Sequence, residues 1–364
     1  MRDESPAKRV WLVKGRCPVT DDAAVSDPQH ERRYQAAARA LDSAAQVVAM
    51  ARLVEQAQSQ NAVSGRVLLP ARSTGAVRRV GLLATSMNPL THAHVAMAES
   101  ARHHARLDAL YWVANLVTVD KEQVARASLV DRLLEGRAYA SAVGDGLLLF
   151  AGGLYVEQAR AAHALLAGVE QIALIVGFDK APQIFDPHYY ENRDAALDEL
   201  FAEAEVVVAP RAGKSEADLR ALLEQPENQR YAERIHYTPL PARYATDSST
   251  EARELAATAM DTAERERRLR ALLTPEGLAL ALITRAYEPP RAATATTPGD
   301  AYSARQALLS ALADIPPEQL GSTPPLSHLT ALATELSPKG AALRAWAQDR
   351  STHTLDGLMA ALAV

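Results

Sequence analysis

The sequence predicts an α/β domain built on a doubly wound parallel sheet, with helical extensions before and after it. Two observations carry this expectation. Between residues 75 and 288, apolar runs of strand length alternate with amphipathic stretches of helical length. Such alternation implies parallel βαβ units whose sheet is covered by helices on both faces. Outside that region the apolar residues recur at helical spacing.

The elements follow in order. Residues 1 to about 30 mix charge and proline with little periodicity. Tyr34, Ala37, Ala38, Leu41, Ala45, Val48 and Leu53 then recur at helical spacing, which predicts one long helix, or two broken near Asp42. Residues 61–74 read as a loop or a short strand. RRVGLLAT at 78–85 is a short apolar run with polar flanks, a buried strand, and a helix follows over 92–106. DALYWVAN at 108–115 is a second strand, followed by a helix over 122–142. A strand at 146–150, a helix at 155–166 and the continuous apolar strand QIALIVG at 171–177 come next. After an aromatic-rich loop the pattern predicts a helix over 193–202, strands at 205–209 and 235–238, and helices over 249–260 and 275–286. PPRAATATTPGDAYS, 289–303, reads as a linker rich in proline and threonine. Residues 304–364 read as several short helices forming a small bundle or cap. The expected division is therefore a helical extension (1–74), the α/β domain (75–288), the linker and the C-terminal helical segment (304–364).

Bulk properties bound the function. A chain of 364 residues with net charge −5 argues against a general nucleic-acid-binding role. The single cysteine, Cys17, permits no disulfide within the chain and suits a reducing compartment. MRDESPAKRV at the start lacks the apolar run of a secretory signal, and no window approaches the roughly 18 apolar residues of a membrane span. A cytoplasmic location without membrane contact is expected.

Two segments that follow predicted strands carry the chemistry. In SMNPLTHAH, the residue before Pro89 is pushed out of helical geometry, so Asn88-Pro89 makes a turn. Thr91 and His94 stand three apart at the start of the next helix and share a face. Backbone N–H groups at that start attract anions, although a polar helix start with surface histidines fits the same letters. In DSSTEAR, Ser248 and Glu251 have capping-box spacing. Ser249 and Thr250 then lie in the first turn and Arg253 one turn on, which makes either a phosphate cradle or an ordinary capped helix.

Together these segments resemble the signatures of the nucleotidyltransferase superfamily. SMNPLTHAH is similar to a small residue followed by F-[DN]-P-x-[HT]-x-G-H, and SSTEAR to [IS]-S-S-T-x-x-R. Gly177-Phe178-Asp179 resembles the family's G-x-D, and VVVAPRAG at 206–213 its V-V-x-R-x-G. The pattern is nearest to the nicotinamide and nicotinate mononucleotide adenylyltransferases. The resemblance implies a Rossmann-like sheet of the adenylyltransferase type and transfer of AMP from ATP to the phosphate of a pyridine mononucleotide in NAD biosynthesis. It implies ATP as substrate and Mg²⁺ carried by phosphate oxygens and water, with no protein metal site. The expected partners are these small molecules; self-association into a homo-oligomer is left open.

Residue by residue, the resemblance implies that His94 contacts the ATP phosphates and that Ser86, Asn88, Ser249, Thr250 and Arg253 complete the nucleotide site. Asp179, after Gly177, would bind an adenosine ribose hydroxyl. Thr91 stands where most members carry histidine and phosphopantetheine adenylyltransferases carry threonine. Ala93 replaces a glycine, and Met87 an aromatic. These departures leave open another phosphate ester as acceptor, or an ATP-binding or ATP-hydrolysing relative without transfer activity. Lys121 and Arg132 match basic residues that hold the mononucleotide or phosphates in relatives. Tyr189 and Tyr190 occupy the stretch where an aromatic stacks on the pyridine ring. A solvated charge, or a tyrosine pair that packs the loop, would explain the same residues. His103, His104, Asp108, Asp120 and Cys17 receive no role.

Overall fold

The computed structural model describes residues 27–59, 65–116, 127–211, 213–244, 247–291 and 299–364. Cys17, Asp120 and Lys121 lie outside the described residues. So do residues 61–64 of the expected loop, the start of the helix expected from 122, and residues 292–298 of the 289–303 linker.

Six strands run parallel: β2 (Arg79–Ala84), β3 (Ala109–Asn115), β4 (Gly146–Phe150), β5 (Gln171–Gly177), β6 (Ala204–Ala209) and β7 (Ile235–Tyr237). A further strand, β1 (Gly65–Leu69), pairs antiparallel with β4 at one edge. The sheet order is β1-β4-β3-β2-β5-β6-β7. Counted among the parallel strands alone, this is the 3-2-1-4-5-6 order of a doubly wound Rossmann-like sheet. The short-strand alternative for residues 61–74 therefore holds for Gly65–Leu69, as an antiparallel edge to an otherwise parallel sheet.

Successive side chains of a strand point to opposite faces, and the core divides accordingly. Leu83, Leu110, Trp112, Leu147 and Ile175 face one layer, while Leu82, Tyr111, Val113, Leu148 and Leu174 face the other. Both layers are apolar, which is why these strands read as continuous runs rather than as alternating patterns. The second layer is closed by α5 (Tyr155–Leu165), α6 (Ala181–Phe185), α7 (Arg193–Glu203) and α8 (Glu216–Leu223). The first is closed by α3 (His92–His104), α4 (Leu129–Val143), α9 (Ser249–Ala257), α10 (Thr262–Leu272) and α11 (Pro275–Thr284), together with the terminal helices.

The N-terminal helical stretch is two helices, α1 (Pro28–Asp42) and α2 (Ala44–Ser59), broken at Ser43, whose backbone is extended. The C-terminal segment forms α12 (Ala301–Leu312), α13 (Leu326–Ala333), α14 (Pro338–Gln348) and α15 (Leu355–Ala363). Helix α10 has no counterpart in the expected elements. Its sequence, TAERERRLRAL, buries only Leu269, so it lacks the apolar stripe by which a helix is recognised. It is started by Asp261, whose side chain accepts from the N–H groups of Ala263 and Glu264.

The helices flanking the α/β core are fastened to it through buried carboxylates. Arg33 of α1 donates to both oxygens of Glu276 on α11, each at 2.8 Å. Arg305 of α12 is 1% exposed and donates to the Asp131 carboxylate of α4 and to the Leu41 carbonyl of α1, each at 2.8 Å. Tyr302 donates to the other Asp131 oxygen at 3.1 Å. No helix among the described residues is long and apolar enough to cross a membrane.

Candidate active site

In an open parallel sheet, ligands bind beyond the carboxyl ends of the strands where the strand order reverses. That reversal lies between β2 and β5, which pair in register from Arg79↔Gln171 to Leu83↔Ile175. The segments leaving these strands are residues 85–91 and 178–190, which carry Ser86, Asn88, Thr91, Asp179, Tyr189 and Tyr190 of the expected site.

Residues 85–91 are held from every side. The Asn88–Pro89 bond is cis, and Met87 has φ +46, a left-handed conformation that costs a non-glycine residue on the order of 1–3 kcal/mol. Surrounding contacts offset that cost. Met87 is buried, and its sulfur packs closely over Gly136 of α4, so a Cβ at that position would displace the Met87 side chain. Arg132 Nη1 donates to the Ser86 carbonyl at 2.7 Å. Arg253 Nη1 donates to the Asn88 carbonyl at 2.7 Å, and Ser249 Oγ to the Pro89 carbonyl at 2.9 Å. Tyr287 donates to Asn88 Oδ1 at 2.7 Å, and the Leu90 N–H to Glu135 Oε1 at 2.7 Å.

The two signature segments, far apart in the sequence, thus meet at one rim of the sheet. Helix α9 begins here, with Ser248 accepting from the Glu251 N–H at its N-cap. Arg253 spans the junction, since its Nη2 also donates to Thr250 Oγ1 at 2.9 Å. Thr91 and His94 form a second, more buried pair at the start of α3. The Thr91 N–H meets His94 Nδ1 at 3.1 Å, and Thr91 Oγ1 lies 2.8 Å from the same nitrogen. A nitrogen that accepts a backbone N–H carries no proton, which places the ring proton on Nε2.

Beside this junction a cleft, partly open to solvent, runs across the carboxyl ends of β2, β3, β4 and β5. Ser86, Arg132, Tyr189 and Tyr190 line it, as four of the expected site residues. Tyr190 donates to the Ile184 carbonyl at 2.8 Å, and burial pushes its phenol up to about 12. Gly177 and Asp179 lie at the end of β5. The Asp179 carboxylate is 3.6 Å from Arg211 Nε and is not part of the cleft lining.

Sequence reasoning assigned no role to Asn115, Tyr155, Gln158 or Lys180, which also line the cleft. Two of them left a usable signal. Asn115 is a polar residue closing an apolar strand, and Lys180 directly follows the G-x-D aspartate. Tyr155 and Gln158 open the helix after β4, and only the strand order brings that helix to the site. Arg132 and Lys180 are cationic and no carboxylate lines the cleft among the described residues, so it suits a ligand carrying phosphate. Among the described residues, no group of three or more His, Cys, Asp or Glu is placed to hold a metal ion.

Glu135 is fully buried beneath the loop, with Oε2 unpartnered. Burial holds its carboxyl well above the usual range, against the pull of the Leu90 N–H; the Glu276 carboxylate raises it further and Arg132 lowers it. A carboxyl neutral when folded and ionised when unfolded contributes stability that is full below about pH 4.3. That contribution is lost as pH rises, because the unfolded state then binds fewer protons. Glu135→Gln keeps the acceptor for Leu90 and removes the titration. In urea unfolding between about pH 4 and about pH 8, we expect the variant to gain on the parent by up to ~1.4 kcal/mol per pH unit. A difference independent of pH would show that Glu135 is already ionised in the folded chain.

No family model matches this chain, and no curated protein matches it. Among solved structures, it is similar to Plasmodium falciparum nicotinic acid mononucleotide adenylyltransferase complexed with APC, at 14% identity and a TM-score of 0.38. The same enzyme complexed with NaAD gives 14% identity and a TM-score of 0.41. Each of these matches covers 58% of this chain and 97% of that one. Thermotoga maritima TmcAL bound with alpha-thio ATP is 16% identical with a TM-score of 0.33, over 58% of this chain and 57% of TmcAL. The likeness lies in the fold.

Proposed function

We propose that this chain is an adenylyltransferase that moves AMP from ATP to the phosphate of a pyridine mononucleotide, nicotinate or nicotinamide, and releases pyrophosphate. The observation that carries this reading is the junction of Asn88-Pro89 with Ser249 and Arg253, at the point where the strand order reverses. The adjoining cleft supplies two cations and the tyrosine pair for a flat ring.

In the proposed step an oxygen of the mononucleotide phosphate attacks the α-phosphorus of ATP. A P–O bond forms to it, the bond to the bridging oxygen breaks, and pyrophosphate leaves with that electron pair. The attacking phosphate is already ionised near neutral pH, so no general base is needed. Positioning and charge neutralisation then do the catalysis. In this reading His94 offers Nε2–H to phosphate as a neutral donor, with Thr91 setting its tautomer. Arg253, Ser249, Thr250 and the first turn of α9 hold the β and γ phosphates, while Ser86 and Asn88 shape the loop beneath them. Asp179 takes a ribose hydroxyl, Arg132 and Lys121 serve the mononucleotide phosphate, and Tyr189 and Tyr190 stack on its ring. Mg²⁺ would be held by phosphate oxygens and water.

The test is to incubate the chain with ATP, Mg²⁺ and each of a panel of phosphate esters, measuring pyrophosphate and separating the products. A pyridine dinucleotide is expected, with His94→Ala lowering the rate by ~10² or more. Pyrophosphate formed only with a different ester, or inorganic phosphate without any adenylylated product, would replace this reading.

A further inference from the structure

We infer that Lys180 binds an anionic oxygen group of the molecule that accepts the adenylyl group, and that Gln183 holds its ammonium in place for that contact. The inference deepens the proposed function and rests on it for the identity of the acceptor. Lys180 ends the turn Phe178–Lys180 that leaves β5 at the switch point, and Gln183 stands three residues on, in α6. Both side chains line the cleft. Lysine is mostly an exposed residue, yet Lys180 is half-buried, and its Nζ donates to Gln183 Oε1 at 2.9 Å. That partner is a neutral amide. Among the described residues no carboxylate lines the cleft. The carboxylate of the neighbouring Asp179 lies outside the lining, 3.6 Å from Arg211 Nε.

An ammonium drawn into a cleft gives up water, and a single neutral acceptor satisfies one of its three donors. An anion brought by a ligand would take the others in charge-assisted bonds. That anion is separate from the ATP phosphates of the proposed reaction. Asn88, Ser249, Thr250 and Arg253, which form the junction at the start of α9, do not line the cleft. Lys180 instead shares a segment with Tyr189 and Tyr190, the pair proposed to stack on the ring of the acceptor. Arg132, the other cation of the cleft, already donates to two backbone carbonyls, Ser86 at 2.7 Å and Ala127 at 3.2 Å. Holding the 85–91 loop thus occupies Arg132, and Lys180 carries no such duty. Two groups of a pyridine mononucleotide offer the ionised oxygens that an ammonium binds, the 5′-phosphate and, in the nicotinate form, the ring carboxylate.

Calorimetric titration of the full chain, without ATP, with nicotinamide mononucleotide, nicotinate mononucleotide and ribose 5-phosphate tests the contact apart from catalysis. Lys180→Met is expected to weaken binding by ~10-fold or more, and Lys180→Arg to recover most of the loss. The affinity for ATP with Mg²⁺, titrated separately, should stay at the parent's value in both variants. Gln183→Glu sets a carboxylate against the ammonium and should weaken the same ligands with Lys180 intact. A loss for both mononucleotides assigns Lys180 to the phosphate, and a loss confined to the nicotinate form assigns it to the ring carboxylate. Unchanged binding in Lys180→Met, an equal loss of ATP affinity, or binding of none of the three compounds by the parent overturns the inference. Binding that depends on Lys180, without any dinucleotide formed when ATP is added, would uphold this inference and defeat the proposed function alone. Dinucleotide formed by Lys180→Met at the parent's rate and affinity would do the reverse.

Discussion

Replacing Arg253 with alanine is expected to lower kcat/KM for adenylyl transfer by about 10²–10³-fold, the largest loss of any single change at the site. Arg253 bonds both signature segments, through Asn88 O on one and Thr250 Oγ1 on the other. Its guanidinium therefore sets the geometry of the loop at the switch point and, in the proposed reaction, meets the leaving pyrophosphate. Arg253→Lys keeps the charge and gives up the planar fork, so it should recover only part of the loss. A fall mainly in kcat assigns Arg253 to the transition state, whereas a rise mainly in KM assigns it to ATP binding. Steady-state rates with ATP varied, on variants whose melting matches the parent, decide between these outcomes. Unchanged turnover in both variants would remove Arg253 from the site.

The largest effect on stability is expected away from the chemistry, at Arg305. Arg305→Met leaves the Asp131 carboxylate buried on α4 without its cation and the Leu41 carbonyl without its donor. Breaking one side of a buried pair costs about 3–5 kcal/mol, while replacing both partners with apolar groups is often close to neutral. The double variant Arg305→Met with Asp131→Leu should therefore regain most of what the single variant loses, in denaturant unfolding followed by circular dichroism. Additive losses in the two single variants and the double would show that the pair is not coupled. Because α4 also carries Arg132 and Glu135, loosening the C-terminal helices should reach the 85–91 loop. A parallel loss of nucleotide affinity in Arg305→Met is the corresponding sign.

The strands and most of the helices were legible in the sequence, because what defines them is local. QIALIVG and GLLLF are buried on both faces, so burial alone marks them as strands, and both appear at the expected bounds of Gln171–Gly177 and Gly146–Phe150. Their alternation with helices determined the fold class, since parallel neighbours require crossovers on the faces of the sheet. Helix α10 escaped notice for the opposite reason: its surface charge hides the one leucine that it buries. The i, i+3 spacing of Thr91 and His94 was read as two groups aimed at an anion. In the folded chain the same spacing also lets the imidazole cap the backbone N–H of Thr91, a local interaction that a sequence pattern does not separate from the other.

By itself, then, the sequence determined the layered α/β core, the turn at Asn88-Pro89 and the capped start of α9, all set by contacts within a few residues. The tertiary structure alone decided which polar groups meet. Arg253 reaches Asn88 across 165 residues, and Arg305 reaches Asp131 across 174. Asn115 and Gln158 come to one cleft only because β3 and β4 are neighbours in the sheet. Hydrophobic burial is periodic and leaves a trace along the chain, whereas a hydrogen bond between distant elements depends on strand order, which the local pattern does not encode.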